Sequence, residues 1–204
     1  MQANRTFIPA AGHDAALPLY DPLTWLAGAQ SRRKLLIERA CPSSGQRVLD
    51  VGCGTGTLAV ALKRAEPRVE VTGIDPDPRA LTRARSKASR AGVQVRFEQG
   101  FGDALPWDDA SFERVLSSFM LHHLARPLQQ KLLSEALRVL VPGGSFHLID
   151  FARSARGRVL GRNLDGAEWV DQDLRQAGFV DVRVEPQPRL LFQRTLYCSA
   201  RRQV

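Results

Sequence analysis

One stretch of the chain restricts the possible folds more than any other. Residues 48–62 read VLDVGCGTGTLAVAL, in which an apolar segment with strand character meets glycines spaced G-x-G-x-G and then an apolar segment able to form a helix. Glycines at such a turn let the backbone approach a ligand closely, and the N-terminus of the following helix faces it. The stretch therefore predicts a nucleotide-type cofactor site behind a first buried strand.

Strand and helix patterns alternate after this loop. The predicted strands cover 47–51, 70–74, 94–98, 114–118 and 145–151, and helices are predicted to about 64 and over 78–91, 127–140 and 168–177. Such alternation requires parallel pairing through crossover helices, so we predict a doubly wound, Rossmann-like α/β sheet with helices on both faces. Two strand-like segments, FVDVRVEP and RLLFQRTLYCSA, then follow each other directly, which requires antiparallel pairing at the end.

Length and composition indicate one ordinary globular domain. The chain has 204 residues, 44% of them hydrophobic and 25% charged, which suits one domain over 1–204 with an N-terminal arm and cover helices in 1–45 and a core in 46–204. There is no apolar run of the roughly 18 residues that a membrane span needs, so we expect a soluble, cytoplasmic protein. Three cysteines without C-x-x-C spacing predict neither a disulfide framework nor a metal site.

The net charge of +8 is compatible with an anionic substrate, a nucleic acid or a membrane surface. The arginines are scattered, and along 78–91 they lie on the helix face opposite the alanines, as on a solvated surface. We therefore expect no nucleic acid partner. A denser group follows the fifth predicted strand and either binds an anionic part of an acceptor or forms a solvated loop; it consists of Arg153, Arg156, Arg158 and Arg162.

The loop and its acidic neighbours restrict the cofactor. The dinucleotide fingerprint G-x-G-x-x-G has its last glycine where this chain has Thr57, which argues against a pyrophosphate. Asp75 ends the second predicted strand, 21 residues after Gly54, at a distance where a carboxylate reaches ribose hydroxyls. Asp50 would repel a pyrophosphate but attract a cation. Together they favour a nucleoside joined to a positively charged group, such as S-adenosylmethionine.

Four segments in this order and spacing resemble the class I S-adenosylmethionine-dependent methyltransferases: VLDVGCGTGTLA, VTGIDPDPRAL, LPWDDASFERVLSSFMLHHL and EALRVLVPGGSFHLIDF. The nearest likeness is to the branch with the ubiquinone and menaquinone C-methyltransferases, which also tends to have a YD pair ahead of the first helix, here Tyr20-Asp21. The resemblance covers about 20–151. It implies a seven-stranded, mostly parallel sheet with the last strand antiparallel.

The resemblance also implies a set of cofactor contacts. Asp50 and the loop backbone would meet the methionine part, and Asp75 would bind the ribose. The other implied contacts are Gly52, Cys53 and Gly54 in the loop, Pro76 near the adenine, Ser117 and Ser118 beside the methyl group, and Tyr20 closing over the cofactor.

One position departs from the family pattern. Relatives have an acid directly after the glycine that ends the third strand, where it accepts the adenine amino group, whereas this chain has Phe101. Either the loop is remodelled so that Asp103 reaches the adenine, or Phe101 serves through its backbone and ring, with Gly102 between the two. Both alternatives stay open at this point.

The candidate catalytic residues are His122 and His123, directly after the fourth predicted strand. Methyl transfer depends mainly on positioning and needs a base only when the acceptor must lose a proton, a task for which imidazole is suited. The alternative is that one histidine caps the following turn and the other packs.

We predict a monomeric or homodimeric methyltransferase. Its acceptor would be a small molecule, with an anionic one as an option, methylated at carbon or oxygen while S-adenosylhomocysteine is formed. The rival hypotheses are a non-catalytic partner subunit with this fold, a methyltransferase acting on nucleic acid, and a nicotinamide-dependent dehydrogenase.

Overall fold

The computed structural model describes residues 29–152, 166–190 and 193–204. Within these ranges strands and helices alternate along most of the chain. The strands are β1 Arg47–Val51, β2 Glu70–Asp75, β3 Arg96–Gln99, β4 Phe112–Ser118, β5 Leu140–Phe151, β6 Val180–Leu190 and β7 Gln193–Arg201. The helices are α1 Ala29–Ala40, α2 Thr57–Ala65, α3 Pro78–Arg90, α4 Arg126–Val139 and α5 Gly166–Gln176, with a short 3-10 helix at Leu121–His123.

The seven strands form one sheet in the order β3-β2-β1-β4-β5-β7-β6. Neighbours among β1 to β5 pair in parallel, which their crossover helices allow. β7 pairs antiparallel with both β5 and β6. The predicted doubly wound sheet with an antiparallel last strand is therefore confirmed.

Several strand boundaries differ from the prediction by one or two residues, and the start of β5 differs by five. β3 starts at Arg96 instead of residue 94, and β5 starts at Leu140 instead of residue 145. The early part of β5 contains Pro-Gly-Gly at 142–144, which by itself is typical of a turn. Residues 141–144 are not paired in the β4–β5 register and bulge out between the pairs Phe112↔Leu140 and Arg114↔Ser145. Their backbone bonds to Arg202 instead, because the N–H of Gly143 donates to the carbonyl of Arg202 and the N–H of Arg202 donates to the carbonyl of Gly144.

Apolar side chains fill both faces of the sheet. Helices α1, α2 and α3 cover one face, with Leu36, Leu62 and Leu81 in its core. Helices α4 and α5 cover the other, with Leu132 and Leu174 in its core. Burying such a side chain stabilises the fold by roughly 1.5–3 kcal/mol, so the two layers firmly hold the strand ends from which the functional residues project. None of the helices in the described ranges is both long and apolar enough to cross a membrane.

Candidate active site

The glycine loop is a tight turn fastened to the end of β2. Gly52, Gly54 and Gly56 have φ angles of 71°, 51° and 74°, a region that side-chain-bearing residues rarely adopt. The N–H groups of Gly52 and Cys53 both donate to the carbonyl of Ile74, at 2.9 and 3.0 Å. This fastening brings the carboxyl ends of β1 and β2, and therefore their two aspartates, to the same place.

Asp75 is held by backbone donors from both sides. Its Oδ2 accepts the N–H of Gly54 at 2.8 Å, and its Oδ1 accepts the N–H of Asp77 at 2.9 Å. Burial raises the pKa of Asp75, and these two hydrogen bonds act in the opposite direction. Because a carboxylate has about four acceptor positions, Asp75 in this arrangement still has capacity for the two ribose hydroxyls that the sequence assigns to it.

Asp50 is a buried carboxylate without a regular hydrogen bond in the described ranges, although the backbone N–H of Ala59 favours its ionised form. Its side chain is almost completely buried, and both oxygens lack such a bond to any described residue. Burial raises the pKa of Asp50 to about 7; the Arg33 guanidinium opposes this rise, and Asp75 adds to it. A buried, unpartnered carboxylate is costly to the protein alone, so a ligand cation beside it would be strongly stabilised. This residue therefore fits the ammonium group of the cofactor that the sequence predicts.

Arg33 of α1 is a charged neighbour that the sequence analysis missed. The residue is only 6% exposed, its Nε has no partner among the described residues, and its guanidinium carbon lies 5.8 Å from the Phe119 ring centre. A usable signal existed in the helical period, because Arg33 shares the buried face of α1 with Ala29, Leu36 and Ala40. Its position gives Asp50 a basic neighbour within the protein itself.

The end of β4 lies directly beside the glycine loop. Ser117 is fully buried and its hydroxyl donates to the carbonyl of Val51 at 3.0 Å, which joins β4 to β1, while Ser118 is half-buried. A Cβ built on Gly52 would lie 2.9 Å from Cβ of Met120. The chain after β4 therefore lies against the loop, and the two predicted catalytic histidines follow within this same turn.

The two histidines occupy different surroundings. Nδ1 of His122 lies 2.5 Å from Oδ1 of Asp150, near the end of β5, and the backbone N–H of His122 donates to Oδ2 of the same carboxylate at 3.1 Å. The ring of His123 packs against that of His122 with centres 4.0 Å apart and the ring planes tilted by 41°. Burial lowers the pKa of His123, and the neighbouring His122 lowers it further. The sequence analysis missed Asp150, although an acid inside the apolar run of a strand end was a visible signal.

The remaining predicted contacts lie around the ends of β2 and β3. The carbonyl of Pro76 accepts a hydrogen bond from Gln99 at 3.2 Å. Phe101, Gly102 and Asp103 follow β3 and are half-buried, so all three stay predicted adenine contacts. The predictions for Tyr20 and for the arginine group at 153–162 fall outside the described residues.

A second concave region lies at the opposite edge of the sheet. It is an open groove of about 630 Å³ lined by the starts of β2 and β3 and by α3. Its basic side chains are already engaged: Lys63 and Arg85 donate to backbone carbonyls, and Arg96 pairs with Glu98. In the part of the chain that the structure describes, no group of three or more His, Cys, Asp or Glu residues is arranged to hold a metal. We therefore place the candidate site at the glycine loop.

Comparison with known proteins gives matches to methyltransferases. Residues 48–144 match a family described as "Methyltransferase domain". A demethylmenaquinone methyltransferase of Deinococcus radiodurans is 41% identical over 125 residues, which cover 61% of this chain and 51% of the relative. A protein of the same name from Thermus thermophilus is 38% identical over 143 residues, 69% of this chain and 64% of the relative.

Solved structures show the same fold. Phosphoethanolamine N-methyltransferase 2 of Haemonchus contortus, in complex with S-adenosyl-L-methionine, is similar with a TM-score of 0.78 at 16% identity, covering 100% of this chain and 61% of that one. At this identity the similarity concerns the fold alone. The chain spans about half to two thirds of the length of the two bacterial relatives.

Proposed function

Because the chain belongs to the class I S-adenosylmethionine-dependent methyltransferases, we propose that it methylates a small-molecule acceptor at carbon or oxygen. The observation that carries this proposal is the buried carboxylate of Asp50 beside the glycine loop, whose oxygens have no regular hydrogen bond among the described residues. A carboxylate in that position suits a cationic nucleoside and disfavours a pyrophosphate. When bound, S-adenosylmethionine supplies an electrophilic methyl group on a cationic sulfur and leaves as S-adenosylhomocysteine.

The residues divide between the two ends of the cofactor. Asp50 binds the ammonium group, with the loop backbone of Gly52, Cys53 and Gly54 beside the methionine part. Asp75 accepts the ribose hydroxyls. The other proposed cofactor contacts are Pro76, Phe101, Gly102 and Asp103 around the adenine, Ser117 and Ser118 near the methyl group, and Tyr20 as a cover.

The acceptor is proposed from the relatives together with the charge of the chain. Both bacterial relatives are named demethylmenaquinone methyltransferases, which supports an aromatic acceptor of the quinone type; its reduced hydroquinone form carries the hydroxyl groups. The net charge of +8 and the arginine group at 153–162 support an acceptor that carries negative charge. A cytoplasmic location and a monomeric or homodimeric state complete the proposal.

Calorimetric titration with S-adenosylmethionine and S-adenosylhomocysteine tests the cofactor assignment. Both ligands should bind the wild type. Asp50→Asn should weaken the binding of S-adenosylmethionine roughly 10- to 100-fold, since a charged hydrogen bond contributes about 1.5–3 kcal/mol. Asp171→Asn is the matched control, because Asp171 lies in α5 in an exposed pair with Arg175 and its loss should leave binding unchanged.

Transfer of a labelled methyl group to 1,4-naphthohydroquinone then tests the reaction itself. A folded wild type that binds neither S-adenosyl ligand would refute the proposed function. Binding of both ligands without transfer to any acceptor from a panel of phenols, enols and amines would favour the non-catalytic partner subunit.

A further inference from the structure

Asp150 holds both the backbone and the ring of His122. Besides the 2.5 Å contact with Nδ1 and the 3.1 Å hydrogen bond from the His122 N–H, its Oδ1 accepts the N–H of Phe151 at 2.6 Å. The Asp150 side chain is only 4% exposed, whereas that of His122 is 21% exposed. The ring of Phe151 packs edge-on against His122 with centres 5.0 Å apart. The imidazole is thus fixed on one edge while its other edge approaches solvent.

We propose that His122 is the general base of the methyl transfer and that Asp150 is the positioning residue that keeps Nε2 of His122 free to accept a proton. This inference rests on the proposed function. A carboxylate at Nδ1 requires the ring proton of the neutral imidazole to lie there, so the lone pair is on Nε2. Nε2 has no hydrogen-bond partner in the described ranges.

The location of the ring matches this task. Met120, two residues before His122, lies against Gly52 of the glycine loop. β4 and β5 pair in parallel up to Ser118↔Ile149, so the histidine turn and Asp150 project from the same edge of the sheet as that loop. In open α/β sheets this is the edge at which ligands bind. The base therefore lies at the same edge of the sheet as the proposed site of the methyl donor.

His123 has a supporting part. Its half-buried ring packs against His122, and burial together with the neighbouring imidazole lowers its pKa, only partly opposed by Asp150. Its ring has no carboxylate hydrogen-bonded to it within the described residues. A neutral ring packed there keeps His122 in place without competing for the proton. The structure therefore resolves the two adjacent histidines of the sequence into unequal roles.

A positioned base restricts the class of acceptor. An amine attacks with its own lone pair, whereas a phenol, enol or hydroquinone must lose a proton to become a strong nucleophile. The acceptor oxygen or ring carbon bonds to the methyl carbon as the carbon–sulfur bond breaks, with its electron pair kept by sulfur. The acceptor proton passes to Nε2 of His122 and then to solvent. In methylation at carbon, the methylated ring carbon then loses its own proton as the ring becomes aromatic again, and the acceptor oxygen regains a proton from solvent. The net loss is one proton in both cases. The inferred acceptor class is a hydroxylated aromatic or enolic compound.

The first test needs no cofactor. Nitrogen-15 NMR of the histidine rings reports which nitrogen carries the proton in the neutral form. We expect His122 to carry it on Nδ1 in the wild type, and Asp150→Asn to shift the population towards the Nε2–H form. Asp173→Asn is the matched control, because Asp173 is an equally buried aspartate that pairs with Arg126 instead; it should leave the His122 spectrum unchanged. A wild-type His122 protonated on Nε2 would overturn the proposal.

The second test uses transfer of a labelled methyl group to 1,4-naphthohydroquinone, with benzylamine as the amine probe. A general base contributes roughly 10²- to 10⁴-fold to a rate, so His122→Ala should lower kcat by a factor in this range. Asp150→Asn should give an intermediate kcat with KM little changed, and Asp173→Asn should keep the wild-type kcat.

The outcomes distinguish a failure of the proposed function from a failure of the roles inferred for His122 and Asp150. A wild type that fails to bind S-adenosylmethionine refutes the proposed function. Suppose instead that the wild type binds S-adenosylmethionine and methylates the hydroquinone, and that His122→Ala keeps a kcat within threefold of the wild type. This result refutes the roles of His122 and Asp150 but leaves the proposed function standing. A wild type that methylates benzylamine but not the hydroquinone likewise refutes the roles of His122 and Asp150, together with the inferred hydroxylated aromatic or enolic acceptor.

Discussion

Binding of S-adenosylmethionine should release a proton from Asp50. In the free protein, burial raises the pKa of this carboxyl group from 3.8 to about 7, so a substantial fraction is neutral at physiological pH. An ammonium group placed beside the carboxylate favours its ionised form and lowers its pKa. The Asp50 carboxyl should therefore be ionised in the bound protein at a pH where it is partly neutral in the free protein. The protons that it loses on binding are released to solvent.

The magnitude follows from the raised pKa of Asp50, about 7. The neutral fraction of Asp50 in the free protein is then roughly 0.9 at pH 6, 0.5 at pH 7 and 0.1 at pH 8. These fractions are the number of protons released on binding, provided that the bound carboxyl has a pKa well below 6. The same equilibrium predicts that affinity rises roughly tenfold between pH 6 and pH 8. The cofactor's own amino group, with a pKa of about 8, titrates in the same range, so the effect must be measured against a reference.

Asp50→Asn supplies that reference, because it keeps the shape of the side chain but removes the ionisable carboxyl. The amino group of the ligand titrates in both measurements, so its contribution is removed by subtraction. The assay is titration calorimetry in buffers with different ionisation enthalpies, which gives the number of protons released. The wild type should release about 0.8 more protons at pH 6 than at pH 8, after subtraction of the variant's values. Identical proton counts for the two proteins would refute the reasoning about Asp50.

The free protein offers an independent check on the same group. A carboxyl whose pKa is raised by folding binds more protons folded than unfolded, so its ionisation destabilises the protein as the pH rises from about 4 to 7. The free energy of unfolding of the wild type should therefore fall over this range relative to Asp50→Asn, by up to about 1.4 kcal/mol per pH unit. Urea unfolding at pH 5 and pH 7.5 measures this difference, and parallel pH profiles of the two proteins would contradict a raised pKa of Asp50.

Three further substitutions test the loop, the ribose site and the core. Gly52→Ala should abolish binding of S-adenosylmethionine in calorimetry, because the φ of Gly52 is 71° and the new Cβ would collide with Met120. Gly92→Ala is the control, because Gly92 has a similar φ of 65° but open space around it. This control should cost a similar amount of backbone strain, about 1–2 kcal/mol, and still bind S-adenosylmethionine normally. Asp75→Asn should weaken S-adenosylmethionine at least tenfold, because an amide cannot accept from both of its backbone donors; unchanged affinity would contradict the ribose assignment. Phe146→Ala should lower the urea-derived free energy of unfolding by about 3–5 kcal/mol, since the ring is fully buried; a loss under about 1 kcal/mol would contradict the described core.

The fold was accessible from sequence because its determinants are local. Alternating strand and helix patterns require crossovers, and crossovers require parallel pairing. Two successive strands without a helix between them require an antiparallel end, which β7 confirms. The start of β5 was less accessible, because Pro-Gly-Gly at 142–144 favours a turn locally and bulges out of the β4 ladder, yet the strand begins before it at Leu140.

Some residues of the site could likewise be predicted from local sequence, whereas others depend on tertiary packing. The glycine spacing predicted the turn, and the positions of Asp50 and Asp75 at strand ends were read directly, because the ends of parallel strands meet at one edge. The helical period places Arg33 on the same face of α1 as Ala29, Leu36 and Ala40, but the residue type alone leaves open whether an arginine there stays buried or turns to solvent. That choice depends on how α1 packs against the sheet.

What the sequence by itself determined is a cofactor cradle with two carboxylates and a pair of histidines after the fourth strand. Only the tertiary structure decided that Asp150, 28 residues after His122, holds one imidazole and leaves its neighbour packed against it. The physical reason is register: the parallel pairing of β4 and β5 brings the two strand ends together, and a contact between strands separated by a crossover helix leaves no periodic signal in the chain.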